Sequence, residues 1–113
     1  MAYDQDLANR IRELLGTEPG VSKYQEKPMF GGLAFLIGGH MAVAVSSKGG
    51  LMVRVPPGDT AALLQRAHVS PMVMAGRETR GWLLVAEDGV KTKRQLERWV
   101  TRSFEYAKGL PPK

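Results

Sequence analysis

Residues 29–55 read MFGGLAFLIGGHMAVAVSSKGGLMVRV, and the fold is decided here. The glycine pairs Gly31-Gly32, Gly38-Gly39 and Gly49-Gly50 cut this stretch into Leu33–Ile37, Met41–Val45 and Leu51–Val55. Each run is short and rich in branched or aromatic side chains. Each is bounded by residues that tolerate positive φ. Consecutive antiparallel strands joined by tight turns follow from that pattern. A phosphate loop does not, because such a loop leads from a strand into a helix N-terminus, whereas each pair here leads into another strand. Met29-Phe30-Gly31-Gly32 stands apart from generic turn chemistry and suggests a bulge or a close backbone approach.

Upstream, Asp4 is an N-cap for a helix through Leu15, with Leu7, Ile11, Leu14 and Leu15 on one face and Gly16 ending it. Residues 21–27 are polar and fit a short irregular lead-in strand that Pro28 breaks. Downstream, Pro56-Pro57-Gly58 stops the third strand. Asp59 then caps a short helix to about Arg66, with Ala62, Leu63 and Ala67 inward. Met72–Ala75 and Gly81–Ala86 are two further strands joined across residues 76–80, and Glu87-Asp88-Gly89 is a turn. Thr92 and Gln95 form a capping box for the longest helix, whose stripe is Leu96, Trp99, Val100, Ser103 and Ala107. Gly109 and Pro111-Pro112 end it. The expected architecture is α+β in two layers, α-β(3)-α-β(2)-α, with helices on one face of a mostly antiparallel five-stranded sheet.

The strand alternation carries a second message. Leu33, Phe35 and Ile37 alternate with Ala34 and Leu36, and Met41, Val43 and Val45 alternate with Ala42, Ala44 and Ser46. The bulky face suits the helices. The other is small and apolar, which is unusual for a sheet face left in water. A protein partner, most simply a second copy forming a homodimer, would cover it; so would loops or the terminal helix.

With 113 residues the chain is one domain, spanning 1–113. It has no cysteine, which removes disulfides, thiolate catalysis and cysteine-ligated metals. No apolar run approaches a membrane span and no basic start precedes a greasy segment, so a cytoplasmic location is expected. His40 and His68 are the only histidines and lie far apart, with no ligand spacing. Ser46-Ser47-Lys48 sits in a hairpin turn, not in a nucleophile elbow. The carboxylates scatter without an evident acid/base pair. No catalytic residue, cofactor or metal is expected.

Formal net charge is +5, an excess that favours polyanionic partners or simply solubility. Arg94, Arg98 and Arg102 recur four residues apart on the last helix, with Lys91 just upstream and Arg77 and Arg80 in a hairpin able to extend the patch. Such a row grips phosphates or an acidic protein surface, or forms a solvated helix face. Trp82, Trp99 and Phe104 fall at core-like phases, which argues against base stacking.

Tyr3-Asp4, Leu7, Ile11, the segment Met29-Phe30-Gly31-Gly32-Leu33-Ala34-Phe35, Met41, Gly50-Leu51, Val53, Arg54, Met74, Gly81-Trp82 and Trp99 together resemble the TfoX N-terminal domain family, bacterial competence regulators of the TfoX/Sxy type. The resemblance spans nearly the whole chain. It implies a secretion-chaperone-like fold that often dimerises, and a non-enzymatic role in regulating transcription through protein contacts. Full-length competence regulators resemble this chain over their first half and carry a second, helical domain; the expectation is a stand-alone N-terminal domain. The family contributes no catalytic residues. A nucleic-acid-binding accessory role through the basic last helix is the alternative, and a small-molecule enzyme a more distant one.

Overall fold

The computed structural model describes residues 4–17, 24–29, 31–46, 49–74 and 76–111, with the backbone alone at residues 17, 74 and 78–80. Helix α1 spans Gln5–Thr17 and is capped as expected: the Asp4 Oδ1 accepts a hydrogen bond from the Leu7 N–H at 3.1 Å. Strands β1 (Gln25–Met29), β2 (Gly32–Ile37), β3 (His40–Val45) and β4 (Leu51–Arg54) follow as a meander. A 3-10 turn over Pro57–Asp59 runs into the short helix α2, Thr60–Leu63. Strands β5 (Val69–Met74) and β6 (Arg77–Val85) form a hairpin, and α3 covers Lys93–Lys108.

The sheet has six strands in the order β1-β2-β3-β4-β6-β5, and every pair is antiparallel. The extra strand is β1. Pro28 does not break it; Pro28 pairs with Leu33 and Met29 with Gly32. A proline lacks the N–H that a central strand must donate, so it is tolerated only where one side of the strand needs no partner. The opposite edge strand, β5, carries Pro71 beside a bulge. Both edges are therefore blunted against edge-to-edge pairing.

The glycine turns behave as the strand reading requires. Ile37 pairs with His40, leaving Gly38-Gly39 as a two-residue loop with φ of 61° and 82°. Two successive positive φ values make the type I′ turn whose twist matches a hairpin. Met29-Phe30-Gly31-Gly32 is likewise a hairpin turn between β1 and β2, with Gly31 at φ 76° and Gly32 buried as the first residue of β2; Phe30 lies outside the described residues.

One register feature departs from simple alternation. Phe35 pairs with Val43 but Leu36 pairs with Met41, so Ala42 is an extra, unpaired residue in β3. The bulge sends Ala42 to the helix side with Val43 and Val45, and Met41 to the other side with Ala44. The expected grouping of Met41 with Val43 is thereby corrected.

The helix-side core joins Leu7, Ile11, Leu14 and Leu15 of α1 and Leu96, Val100, Phe104 and Ala107 of α3 to Phe35, Val43, Val53, Leu83 and Val85 of the sheet. All five residues of the expected α3 stripe are buried. The Thr92–Gln95 capping box is closed in both directions, at 3.0 and 3.1 Å. Helix α2 is shorter than expected. Leu63 is buried, but Ala62 and Ala67 are exposed, and Asp59 makes no side-chain cap. The Thr60 hydroxyl accepts instead from the Gly81 N–H at 3.0 Å, tying α2 to β6.

Candidate functional site

Two surfaces stand out. The first is the sheet face away from the helices. Alternation along six neighbouring strands places Ala34, Ala44 and Met52 at its centre, with Met29, Leu36, Met41, Met72, Trp82 and Leu84 packed around them. Four of the six methionines of the chain lie here. The expectation of a small face is thus only half right: alanines form the floor, and long flexible side chains form the surface. Thioethers adapt to irregular neighbours, and methionine-rich surfaces suit contact with other proteins. Among the described side chains, charge enters this face only at its margins: Lys27, opposite Ala34 on the edge strand, and Arg54 where β4 ends. The Arg54 guanidinium lies over the Trp82 ring at 5.4 Å and the Tyr106 ring at 5.8 Å, clamped by both. Trp82 is accordingly a half-exposed element of the outer face, not a core residue.

The second surface is an open groove of about 700 Å³ between α3 and the crossover that carries α2 into β5. Pro56, Asp59 and Arg66 line one wall; Glu97, Arg98, Thr101, Arg102, Glu105 and Tyr106 line the other. Of the expected arginine row, Arg98 and Arg102 enter the groove and Arg94 stays exposed one turn earlier. Lys91 is exposed, and its backbone carbonyl accepts from the Arg10 guanidinium at 3.0 Å. Arg77 is exposed at the β5–β6 hairpin and does not line the groove; the Arg80 side chain lies outside the described residues. Arg66 takes the place sequence reasoning reserved for these hairpin residues. It sits in an irregular connector with no periodicity to mark it.

Arg102 is half-buried with its guanidinium over the Trp99 ring at 5.3 Å. Burial lowers its pKa from the ordinary arginine value, the charge of Arg66 lowers it further and Arg98 adds to this, while Asp59 opposes. An arginine so placed stays protonated at neutral pH. The shift reflects first the partial burial of the guanidinium and only second the neighbouring arginine charges. None of Arg66, Arg98 and Arg102 forms an ion pair with a described carboxylate; the ion pair among the described residues is Arg12–Glu26, at 2.7 Å on the far side of the molecule.

The histidines do not meet. His40 opens β3, and its Nε2–H donates to the Pro111 carbonyl at 2.6 Å, which holds the chain after α3 against the sheet end. Its Nδ1 is buried without a partner among the described residues. His68 is exposed in the crossover at φ 67°. Among the described residues no three His, Cys, Asp or Glu side chains group as metal ligands, and no helix is long and apolar enough to cross a membrane.

No curated protein and no solved structure matches this chain. The model of one family, the TfoX N-terminal domain, matches residues 18–107. The match takes in all six strands, α2 and nearly all of α3, and the Met29–Gly32 turn falls at its first hairpin. The chain belongs to the TfoX N-terminal domain family.

Proposed function

We propose that this chain is a non-enzymatic protein-interaction domain of a regulatory system, and that it works as a homodimer joined through the outer faces of its two sheets. The observation that carries the reading is the methionine-rich face, on which the described side chains place charge only at the margins. Six strands about 4.8 Å apart and some six residues long give a planar footprint of roughly 500 Å². Side-chain relief brings that toward the ~800 Å² per partner of a standard interface. A partner must be flat and uncharged at its centre, and a second copy meets both conditions. Proline in each edge strand works against the competing edge-to-edge assembly.

A role in regulating transcription from the cytoplasm agrees with the competence regulators that give the family its name, and the family is not a known enzyme family. The alternative reading, nucleic acid along α3, is weakened by Glu97 and Glu105, which share the groove wall with Arg98 and Arg102 and would repel a polyanion laid there.

Light scattering behind size exclusion, run over a range of concentrations, tests the dimer. The expected mass is twice that of the chain, and Leu84→Glu, which places an unpaired charge in the half-buried face, is expected to return it to the monomer with the melting transition retained. A wild-type protein that stays monomeric throughout would remove the proposal.

A further inference from the structure

We propose that the groove between α3 and the α2–β5 crossover is a binding site for a small soluble molecule carrying a phosphate monoester, its dianion held by Arg66, Arg98 and Arg102. This goes beyond the dimer reading and does not rest on it, because no residue lining the groove belongs to the outer sheet face, although Arg54 at the margin of that face stacks on Tyr106 of the groove.

Three guanidinium groups from two segments more than thirty residues apart converge on one cavity. They do so without engaging Asp59, Glu97 or Glu105, although those carboxylates line the same cavity. Trp99 fixes Arg102 from below through its ring, so that side chain meets the groove with little left to order. Arg102 is partly desolvated, and none of the three guanidinium groups is held in an ion pair with a described carboxylate. A phosphate dianion seated between them accepts the paired hydrogen bonds that these guanidinium forks do not make with the neighbouring carboxylates.

The carboxylates define the rest of the ligand. Glu97 and Glu105 flank the arginines along α3, so a chain of phosphates continuing in either direction meets like charge. A single terminal phosphate does not. Asp59 and Glu105 instead present acceptors to the body of the ligand, which suits hydroxyl or amino donors such as those of a sugar. Pro56 and Tyr106 contribute apolar surface. The volume, about 700 Å³, falls within the range of small-molecule sites.

The test is a titration at fixed ionic strength of uniformly ¹⁵N-labelled protein with inorganic phosphate, ribose 5-phosphate and ribose, read at the arginine Nε–H signals and by calorimetry. Ribose 5-phosphate is expected to saturate and to shift Arg66, Arg98 and Arg102, inorganic phosphate to do so more weakly, and ribose not at all. Arg66→Gln and Arg98→Gln should each weaken binding about tenfold, the loss of one charge-assisted contact, while Arg94→Gln changes it by less than about twofold. Glu97→Gln should tighten it, a change of sign that damaged folding does not produce. Repeating the titration on the Leu84→Glu chain separates the two proposals: binding retained in that monomer shows that the groove does not need the dimer, and a wild-type chain that binds ribose 5-phosphate while staying monomeric sinks only the dimer. No saturation at millimolar ribose 5-phosphate, an equal loss in Arg94→Gln, or a clear preference for a phosphoserine peptide or duplex DNA would overturn this assignment.

Discussion

At Gly50 a methyl group has nowhere to go. Its φ is 79°, and a Cβ would stand 2.5 Å from the Val85 carbonyl oxygen of β6, which is backbone and cannot swing aside. Gly38 also has a positive φ, but open space surrounds it. Gly38→Ala should therefore cost only the left-handed strain, about 1 kcal/mol, and Gly50→Ala on the order of 2–4 kcal/mol, compared by urea midpoints at constant m. Equal losses would mean that the β4–β6 approach is looser than described. The glycine pairs were legible as turns because positive φ is a property of the residue itself. Which of them also sits under a neighbouring strand was not, since that depends on the β4–β6 pairing across some thirty residues of chain.

Glu26 offers a second test at this scale. The hydrogen bond from Arg12 holds its carboxyl below the ordinary 4.5, burial opposes, and the Arg12 charge adds to the lowering. A carboxyl with a depressed folded pKa stabilises fully above its unfolded pKa, and that contribution is lost as pH falls through the folded value. Both side chains are about a third exposed, at 37% and 29%, so the pair contributes no more than about 0.5 kcal/mol. The stability gap between wild type and Glu26→Gln should be present at neutral pH and close on acidification below 4.5. A gap that widens in acid would contradict the assignment.

Among the elements, α1 and α3 were the most readable because their starts are written in local chemistry. The Asp4 cap and the Thr92–Gln95 box both form as the residues dictate. Thr92→Ala should cost about 1 kcal/mol in thermal or urea unfolding, and an effect near zero would mean that α3 is held by packing alone. Strand β1 was misjudged for a physical reason. Gln25–Met29 is an edge strand exposed along most of its length, so it carries neither apolar alternation nor a need for every N–H, and its proline looked like a stop. The bulge at Ala42 had no local signal either: alanine fits both faces, and only the pairing with β2 reveals the extra residue. That bulge moved Met41 outward to join Met29, Met52 and Met72 on a face that had looked merely small.

For the whole molecule, the candidate surfaces were legible in unequal measure. Arg98 and Arg102 share a strip because helical spacing is regular, while Arg66 reaches them only through the crossover. The central claim concerns the other side: the outer face of the sheet meets a second copy. The chain contains no cysteine, so a single introduced thiol gives a uniquely spin-labelled protein. Ser70, exposed and paired with Leu84 on the outer face, and Glu13, exposed on α1 in the helix layer, mark opposite sides of a molecule 26 Å through its shortest dimension. Dipolar electron resonance between copies of Ser70→Cys and, separately, of Glu13→Cys measures which side faces the partner. Distances for Ser70 well short of those for Glu13 are the predicted result; no dipolar coupling at either site, or the shorter distance at Glu13, would contradict it.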